Sequence, residues 1–535
     1  MAVARTRKIA RHVLETYYDS ASDDPAVLQL WAYCGALSYR AGETLTMHVS
    51  TTAQHFDLEI GRDGLAYEPL HREEGLQGHH HAAAPDCSIA GCGWPVSWRF
   101  DIPADWRPGG YLVTLTARRG DEAVEYHHIV LIGAARDAPA APMILVCATP
   151  TWVAYNDWGG SNAYDGIAGP DGNRFSPVLS TQRPWSRGFA RLPEGAPRTL
   201  PDRPLPPGTP ARYPHMEWAW ANGYSKKYAS AGWATYERHF ARWAERQGLA
   251  FDIAALHELH ANPERLTGHR CAVFVGHDEY WSAPMRDAVD AFVDGGGRAA
   301  RFAGNFLWQI RMADEGRTQV CYKYVAAEED PVMGTDRERL VTNAWEVPAI
   351  GRPGASTFGV NATRGIYAGL GHCAGRGSGG FTIYRSDHWA FEGAYLGYGD
   401  LLGSQARIFG YEVDGLDHIV RDGLPYPTGG DGAPDGLTVL AMGLATNWEE
   451  DFGLWGEERF IADYDARFLA RSLYGRLDEA TLDRVKRGNG MIVHFARGKG
   501  EVFTAATCEW VNGLRLADMQ VEKVTRNVLE RFCRA

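Results

Sequence analysis

The stretch C-A-V-F-V-G-H-D-E-Y-W-S (271–282) sets the strongest limit on what this chain can fold into. Its apolar part lacks the in–out alternation of a strand with one wet face, so it must be covered on both sides, as the strands of a parallel sheet are. A second such run, M-I-L-V-C-A-T, spans 143–149. Next come W-A-T-Y-E-R-H-F-A-R-W-A-E-R-Q-G-L (233–249), with aromatic residues at helical spacing and Gly248 at its end, and then F-D-I. After the 271–276 run, P-M-R-D-A-V-D-A-F-V-D-G-G-G precedes R-A-A-R-F-A-G. This alternation of helix and strand predicts a doubly wound, mostly parallel α/β domain. Later strands are expected at 437–444, 490–495 and 500–506, with a closing helix from Ala517 to Arg531 and β hairpins and loops over 313–435.

The first part reads differently. L-Q-L-W-A-Y, E-T-L-T-M-H-V-S, F-D-L-E-I, V-S-W-R-F-D-I, G-Y-L-V-T-L-T-A and Y-H-H-I-V-L-I are short, alternating and separated by Gly, Pro or Asp, the pattern of an antiparallel sandwich of immunoglobulin-like kind. A small, Pro-rich stretch, A-A-R-D-A-P-A-A-P-M (134–143), reads as a linker. The expected division is an N-terminal helix and β-sandwich over 1–135 and a catalytic α/β domain over 136–535.

Hydrophobic residues at 45% and charged residues at 22% describe a globular chain. A net charge of −12 offers no broad basic surface for phosphate backbones, so nucleic acid is not an expected partner. No stretch approaches the ~18 apolar residues of a membrane span, and the basic N-terminus lacks the apolar core of a secretory signal. Nine scattered cysteines, an odd number, suit reduced thiols, so a cytoplasmic protein without membrane association is expected. The exposed sandwich would also permit a homo-oligomer.

The chemistry gathers where strands end. In open α/β sheets the functional crevice lies beyond the carboxyl ends of the strands. His277-Asp278-Glu279 occupies such an end, ahead of Ser282 as N-cap and Pro284 early in a helix. On extended backbone residues 277 and 279 project to one side, where they can share a metal or divide ligation and proton transfer; the same acids could instead merely cap the helix. Asn305, in R-F-A-G-N-F-L-W, ends the next strand, where an amide can hold a carbonyl or oxyanion. The first strand leads into T-W-V-A-Y-N-D-W-G-G-S-N-A-Y-D-G, which carries Tyr155, Asn156, Asp157, Tyr164 and Asp165. Two phenols beside a carboxylate make an all-oxygen set suited to a hard ferric ion rather than zinc, although loop tyrosines also simply pack.

These residues resemble the large subunit of N,N-dimethylformamidase and its relatives, a family of iron-dependent amide hydrolases. The likeness is clearest over 140–310, at F-T-I-Y-R-S-D-H-W-A-F-E (381–392) and at G-E-V-F-T-A-A-T-C-E-W-V-N-G-L (500–514). It implies a mononuclear iron, Fe(III), held by Tyr155, Tyr164 and Glu279, with His277 beside them; Tyr224 and Tyr228 in N-G-Y-S-K-K-Y are alternatives for the second phenol. It further implies Asn305, Lys323 in C-Y-K-Y and Glu412 in F-G-Y-E-V-D as pocket residues, each of which could otherwise be ordinary surface. The chain departs from the family in a Pro-rich insertion at 192–214, and the extra lectin-like β domain of the dimethylformamidase large subunit is not expected in it.

The expected fold class is therefore an immunoglobulin-like β-sandwich followed by a doubly wound, amidotransferase-like α/β domain with β-rich insertions. The expected function is iron-dependent hydrolysis of small, N-substituted amides such as dialkylformamides. His277, Asn305, Lys323 and Glu412 would be catalytic, and Trp158, Trp281 and Trp308 would wall an apolar pocket. The alternatives are a non-catalytic binding protein on this scaffold, or a hydrolase of another C–N or ester bond. His79-His80-His81 with Cys87 and Cys92 has loose spacing for zinc, and H-E-L-H (257–260) lacks the H-E-x-x-H interval.

Overall fold

The computed structural model describes residues 18–166, 175–200, 214–367, 379–452 and 458–534. The expected N-terminal helix lies outside them, as do 201–213 of the Pro-rich insertion. The chain is a mixed α/β protein with several sheets.

Two of these sheets are built from residues 30–133. One orders Leu30–Cys34, Thr44–Thr51 and Trp98–Asp101; the other orders Ser38–Arg40, Glu122–Gly133, Gly109–Arg119, His55–Asp63 and Tyr67–Gln77. All their pairings are antiparallel except that of Ser38–Arg40 with the end of Glu122–Gly133. Leu45, Met47 and Val49 of the first sheet meet Leu58, Ile60, Val113, Leu115, Val130 and Ile132 of the second in one core. The alternation in the sequence is thus that of two half-buried sheets face to face. The strand Tyr67–Gln77 carries charges on both faces and a proline, which hides it from a search for alternation; it lies at the sheet's edge, where such residues are tolerated.

The nine-stranded sheet runs in the order Phe251–Ala255, Met143–Cys147, Cys271–His277, Arg298–Gly304, Gly500–Ala505, Arg487–Arg497, Thr438–Thr446, Phe381–Ile383 and Leu401–Leu402. The first four pairings are parallel and the last four antiparallel, so the expectation of a mostly parallel sheet holds for half of them. The reason is visible at R-G-K-G (497–500), a tight link between neighbouring strands, and strands joined by a hairpin pair antiparallel.

In the parallel half, alternate side chains enter different cores. Met143, Leu145, Val273 and Val275 belong to one, whereas Ile144, Val146, Ala272 and Phe274 belong to the other. Two-sided burial explains the unbroken apolar runs. Each large side chain so buried stabilises the fold by about 1.5–3 kcal/mol. At the end of Cys271–His277, Gly276 adopts a left-handed φ of 76°, and a Cβ there would stand 2.4 Å from the Tyr236 Cβ. The turn that follows reaches Ser282, whose hydroxyl accepts from the Met285 amide and caps the helix Ala283–Asp294. Among the described residues no helix is long and apolar enough to cross a membrane.

Candidate metal centre

The turn after Cys271–His277 divides its side chains between two environments. His277 and Glu279 point together, with Nε2 and Oε2 3.3 Å apart, while Asp278 turns away to the buried Arg301 guanidinium at 2.6 and 2.8 Å. In register His277 pairs with Gly304, so Asn305 stands one residue beyond it on the neighbouring strand. Tyr155 closes the helix Thr149–Tyr155 that follows Met143–Cys147, and Tyr164 lies on the loop after it. Glu412 opens the strand Glu412–Gly415, and Lys323 begins a short 3-10 turn. The seven residues singled out in the sequence thereby form one connected set, six of them buried and Tyr164 half-buried.

One part of the set is made of oxygens. The Tyr155 hydroxyl donates to that of Tyr164 at 2.9 Å, and Tyr164 donates to both Glu279 oxygens at 2.6 and 2.7 Å. Tyr280 donates to the same Tyr164 oxygen at 2.9 Å, and Trp308 Nε1 donates to Glu279 Oε1 at 2.6 Å. Burial pushes all three phenols well above their usual pKa, and the Glu279 charge pushes further. Burial also works to raise Glu279, but His277, Lys323 and the Tyr164 hydroxyl together bring it below the usual carboxylate value.

The other part carries a titratable imidazole. His277 Nδ1 faces the Ser230 carbonyl at 2.7 Å, and Nε2 faces Glu412 Oε2 at 2.6 Å. Burial would lower its pKa, but Glu412 and Glu279 hold it well above the usual value; Glu412 is itself raised by burial. Asn305 Nδ2 donates to Glu412 Oε2 at 2.8 Å, while its buried Oδ1 has no partner among the described residues. Lys323 Nζ stands 3.3 Å from the centroid of the Tyr164 ring and donates to the Ala163 carbonyl at 3.1 Å. Burial brings this amine down to about 8, against the opposing pull of Glu279.

Strain and buried charge hold these parts together. Asn305, Lys323 and Tyr411, the residue before Glu412, have φ of 64°, 51° and 60°, a left-handed region that costs non-glycine residues of order 1 kcal/mol or more. Arg301 grips Asp278 on one side and Asp414 on the other at 2.8 Å, and Asp414 accepts from the Asn305 amide at 2.7 Å. One guanidinium thus ties the 277–279 turn, the Asn305 corner and the Glu412 strand.

The donor geometry can be compared with what a cation requires. Around a small hard cation with metal–oxygen bonds of about 2.0 Å, neighbouring oxygens of an octahedron stand about 2.8 Å apart. The spacings of 2.9 Å between Tyr155 and Tyr164 and 2.6–2.7 Å between Tyr164 and Glu279 fit that edge. His277, Glu412 and Cys508 also bring donor atoms within 4.8 Å of one another. Burial keeps the Cys508 thiol well above its usual pKa, however, so it presents a neutral sulfur that a hard cation does not favour.

Other expectations change. Trp158 packs against Trp31 and Trp94 in the sandwich core, and Trp281 packs against Phe274 and Phe306, so neither walls the centre; their size fills cores instead. Tyr224 stacks on Trp218, and Tyr228 donates to the Pro197 carbonyl, which leaves Tyr164 as the phenol beside Glu279. Tyr280, Ser230, Arg301 and Asp414 were not singled out from the sequence. An arginine inside the apolar strand R-A-A-R-F-A-G was the available signal, since a buried charge demands a partner.

Residues 62–525 match the family described as N,N-dimethylformamidase beta subunit-like, C-terminal. The chain belongs to this family. Its members' description makes the chain dimethylformamidase-like, and the match includes all seven residues of the centre. No curated protein matches the chain. Among solved structures, it is similar to the sporulation control protein Spo0M from Bacillus subtilis at 14% identity, over 20% of this chain and 50% of that one, with a TM-score of 0.15. It is also similar to a beta-glucuronidase from Parabacteroides merdae at 12% identity, over 21% of this chain and 14% of that one, TM-score 0.13. A family 123 glycoside hydrolase from Clostridium perfringens shows 10% identity over 24% of this chain and 32% of its own, TM-score 0.11. The chain therefore spans half or less of each, and likenesses this slight carry no argument.

Proposed function

We propose that the protein is a mononuclear iron-dependent hydrolase of small linear amides, N-substituted formamides among them, releasing carboxylate and amine. The observation that carries this reading is the convergence of Tyr155, Tyr164 and Glu279 oxygens within 2.6–2.9 Å of their neighbours, beside the His277–Glu412 pair. Membership of the dimethylformamidase-like family supports the choice of reaction. When bound by the two phenols and the carboxylate, Fe(III) would supply Lewis acidity, polarising the amide carbonyl and making water more acidic.

The remaining work falls to the chain. Ser230 fixes the His277 ring through Nδ1, so the charged imidazole gives its Nε2 proton to the leaving amine and recovers one from the attacking water through Glu412. Glu412, 2.6 Å from Nε2, shares that proton. The Asn305 Oδ1, without a partner among the described residues, supplies an acceptor for the substrate or its water, and the Lys323 ammonium over the Tyr164 ring favours the anionic form of that phenol.

None of the converging side chains precedes Tyr155, which supports a non-catalytic immunoglobulin-like unit over 1–135 and a doubly wound catalytic unit over 136–535. The eight cysteines within the described residues are all free, in keeping with a cytoplasmic setting.

The test is amine release from N,N-dimethylformamide, formamide and a larger amide, by protein stripped of metal and by protein reloaded with iron. The reading expects hydrolysis of an N-substituted formamide only after reloading. Iron-loaded protein that turns over none of these amides would contradict it.

A further inference from the structure

A cleft of about 970 Å³ opens between the five-stranded sheet of the first part and the helix Glu237–Arg246, and none of the seven residues of the candidate centre lines it. Its charge runs against that of the chain. Eight arginines line it against five carboxylates, in a protein whose net charge is −12. Three of them, Arg238, Arg242 and Arg246, follow one another at four-residue steps and so share a helix face, where like charges repel.

Acids relieve two of the three. Arg238 meets Asp63 at 2.6 Å, and Arg246 pairs with Glu522. Arg198, across the cleft, is held by Glu509 at 2.9 Å. Arg242, between the relieved pair, donates to the Leu65 carbonyl at 3.1 Å; Asp63 and Glu245 act on it only from further away, and it forms no direct ion pair among the described residues. Arg191, exposed, reaches His127 Nε2 at 3.2 Å and likewise meets no carboxylate among them. Burial, and then Arg198, Arg515, Arg238 and Arg242, push His239 well below its usual pKa; the imidazole stays neutral in a strongly positive field. A concavity of this size suits a small ligand rather than a polymer.

We infer that this cleft binds a small multivalent anion of the phosphate or polycarboxylate class, held chiefly by Arg242 with Arg191 at the rim. Such an anion supplies the directly contacting negative partner that Arg242, in the middle of the stripe, lacks among the described residues, and each guanidinium can grip two of its oxygens. The inference is independent of the amide chemistry, because the residues involved lie outside the candidate centre.

Calorimetric titration of the full chain with dibasic phosphate and with propane-1,2,3-tricarboxylate tests it, with acetate as the monovalent control. The expected result is saturable binding of at least one multivalent probe, the tighter one identifying the class, and weakening as sodium chloride is raised. Arg242→Gln should weaken it by about tenfold or more, the size of one lost charge-assisted hydrogen bond, and Arg191→Gln by a smaller factor. Because both variants keep the candidate metal ligands, any heat from metal chelation is unchanged in them. Should Arg242→Gln fail to fold, the exposed Arg191→Gln decides. Absence of saturable binding for both probes, or affinities equal to wild type in the folded variants, would overturn the inference.

Discussion

Two neighbouring clusters in the centre solve opposite electrostatic problems. Around Glu279, the phenols of Tyr155, Tyr164 and Tyr280 are buried without an adjacent guanidinium, and burial keeps their protons on. At 3.3 Å from the same carboxylate, His277 is also buried, yet Glu412 and Glu279 stabilise its charged form. The imidazole already holds the positive charge its carboxylates call for, whereas the phenols give up protons only to something more strongly positive. The phenol–carboxylate cluster is thus suited to trapping a cation and the imidazole cluster to moving protons. Substitutions in one should leave the function of the other measurable.

The largest expected effect is at Glu279, which belongs to both. Glu279→Ala should lower metal affinity beyond the ~10–100-fold typical of an outer-shell partner and abolish amide turnover. Metal retention with full turnover would break the contrast. His277→Ala should retain metal while kcat falls by about 10²–10⁴-fold, the usual contribution of a general acid–base; loss of metal instead would merge the two clusters. Arg301→Met removes the charge joining Asp278 to Asp414 and should destabilise the fold by about 3–5 kcal/mol in denaturant melts, because two buried carboxylates lose their partner.

A buried carboxyl without a facing cation sharpens the comparison with Glu279. Glu237 accepts from the Ala148 amide and Trp152 Nε1, and burial raises it from 4.5 to about 8. It keeps its proton in the fold up to about pH 8, whereas the unfolded chain releases it near 4.5, so the native state holds the extra proton between those values. Its contribution to stability is complete below pH 4.5, declines as pH rises, and is lost above about 8. By pH 7 the decline amounts to about 3 kcal/mol. Glu237→Gln should remove that slope from melts recorded between pH 5 and 8, and an unchanged slope would place the titration elsewhere.

The sequence was most legible where one side chain's environment follows from its neighbours. Cys271–His277 showed its two-sided burial, and the period-two spacing of 277 and 279 foretold that His277 and Glu279 would face together. Asn305 followed from strand adjacency. Tyr164 stood out beside Tyr155 in its loop, but its choice over Tyr224 and Tyr228, like the placing of Lys323 and Glu412, came through resemblance, since loops and a distant strand carry no local signature of where they return. The antiparallel half of the sheet was obscured because buried strands look alike in either direction. Trp158 misled because a tryptophan near a loop of interest can fill the neighbouring core as readily as a pocket wall.

Metal content and visible absorption, recorded together on the wild-type chain and Tyr164→Phe, probe the phenol–carboxylate cluster most directly. The expected result is about one iron per wild-type chain, with a phenolate-to-iron band that weakens or shifts in the variant. Colourless protein that takes up no iron, or an iron spectrum untouched by Tyr164→Phe, would contradict it.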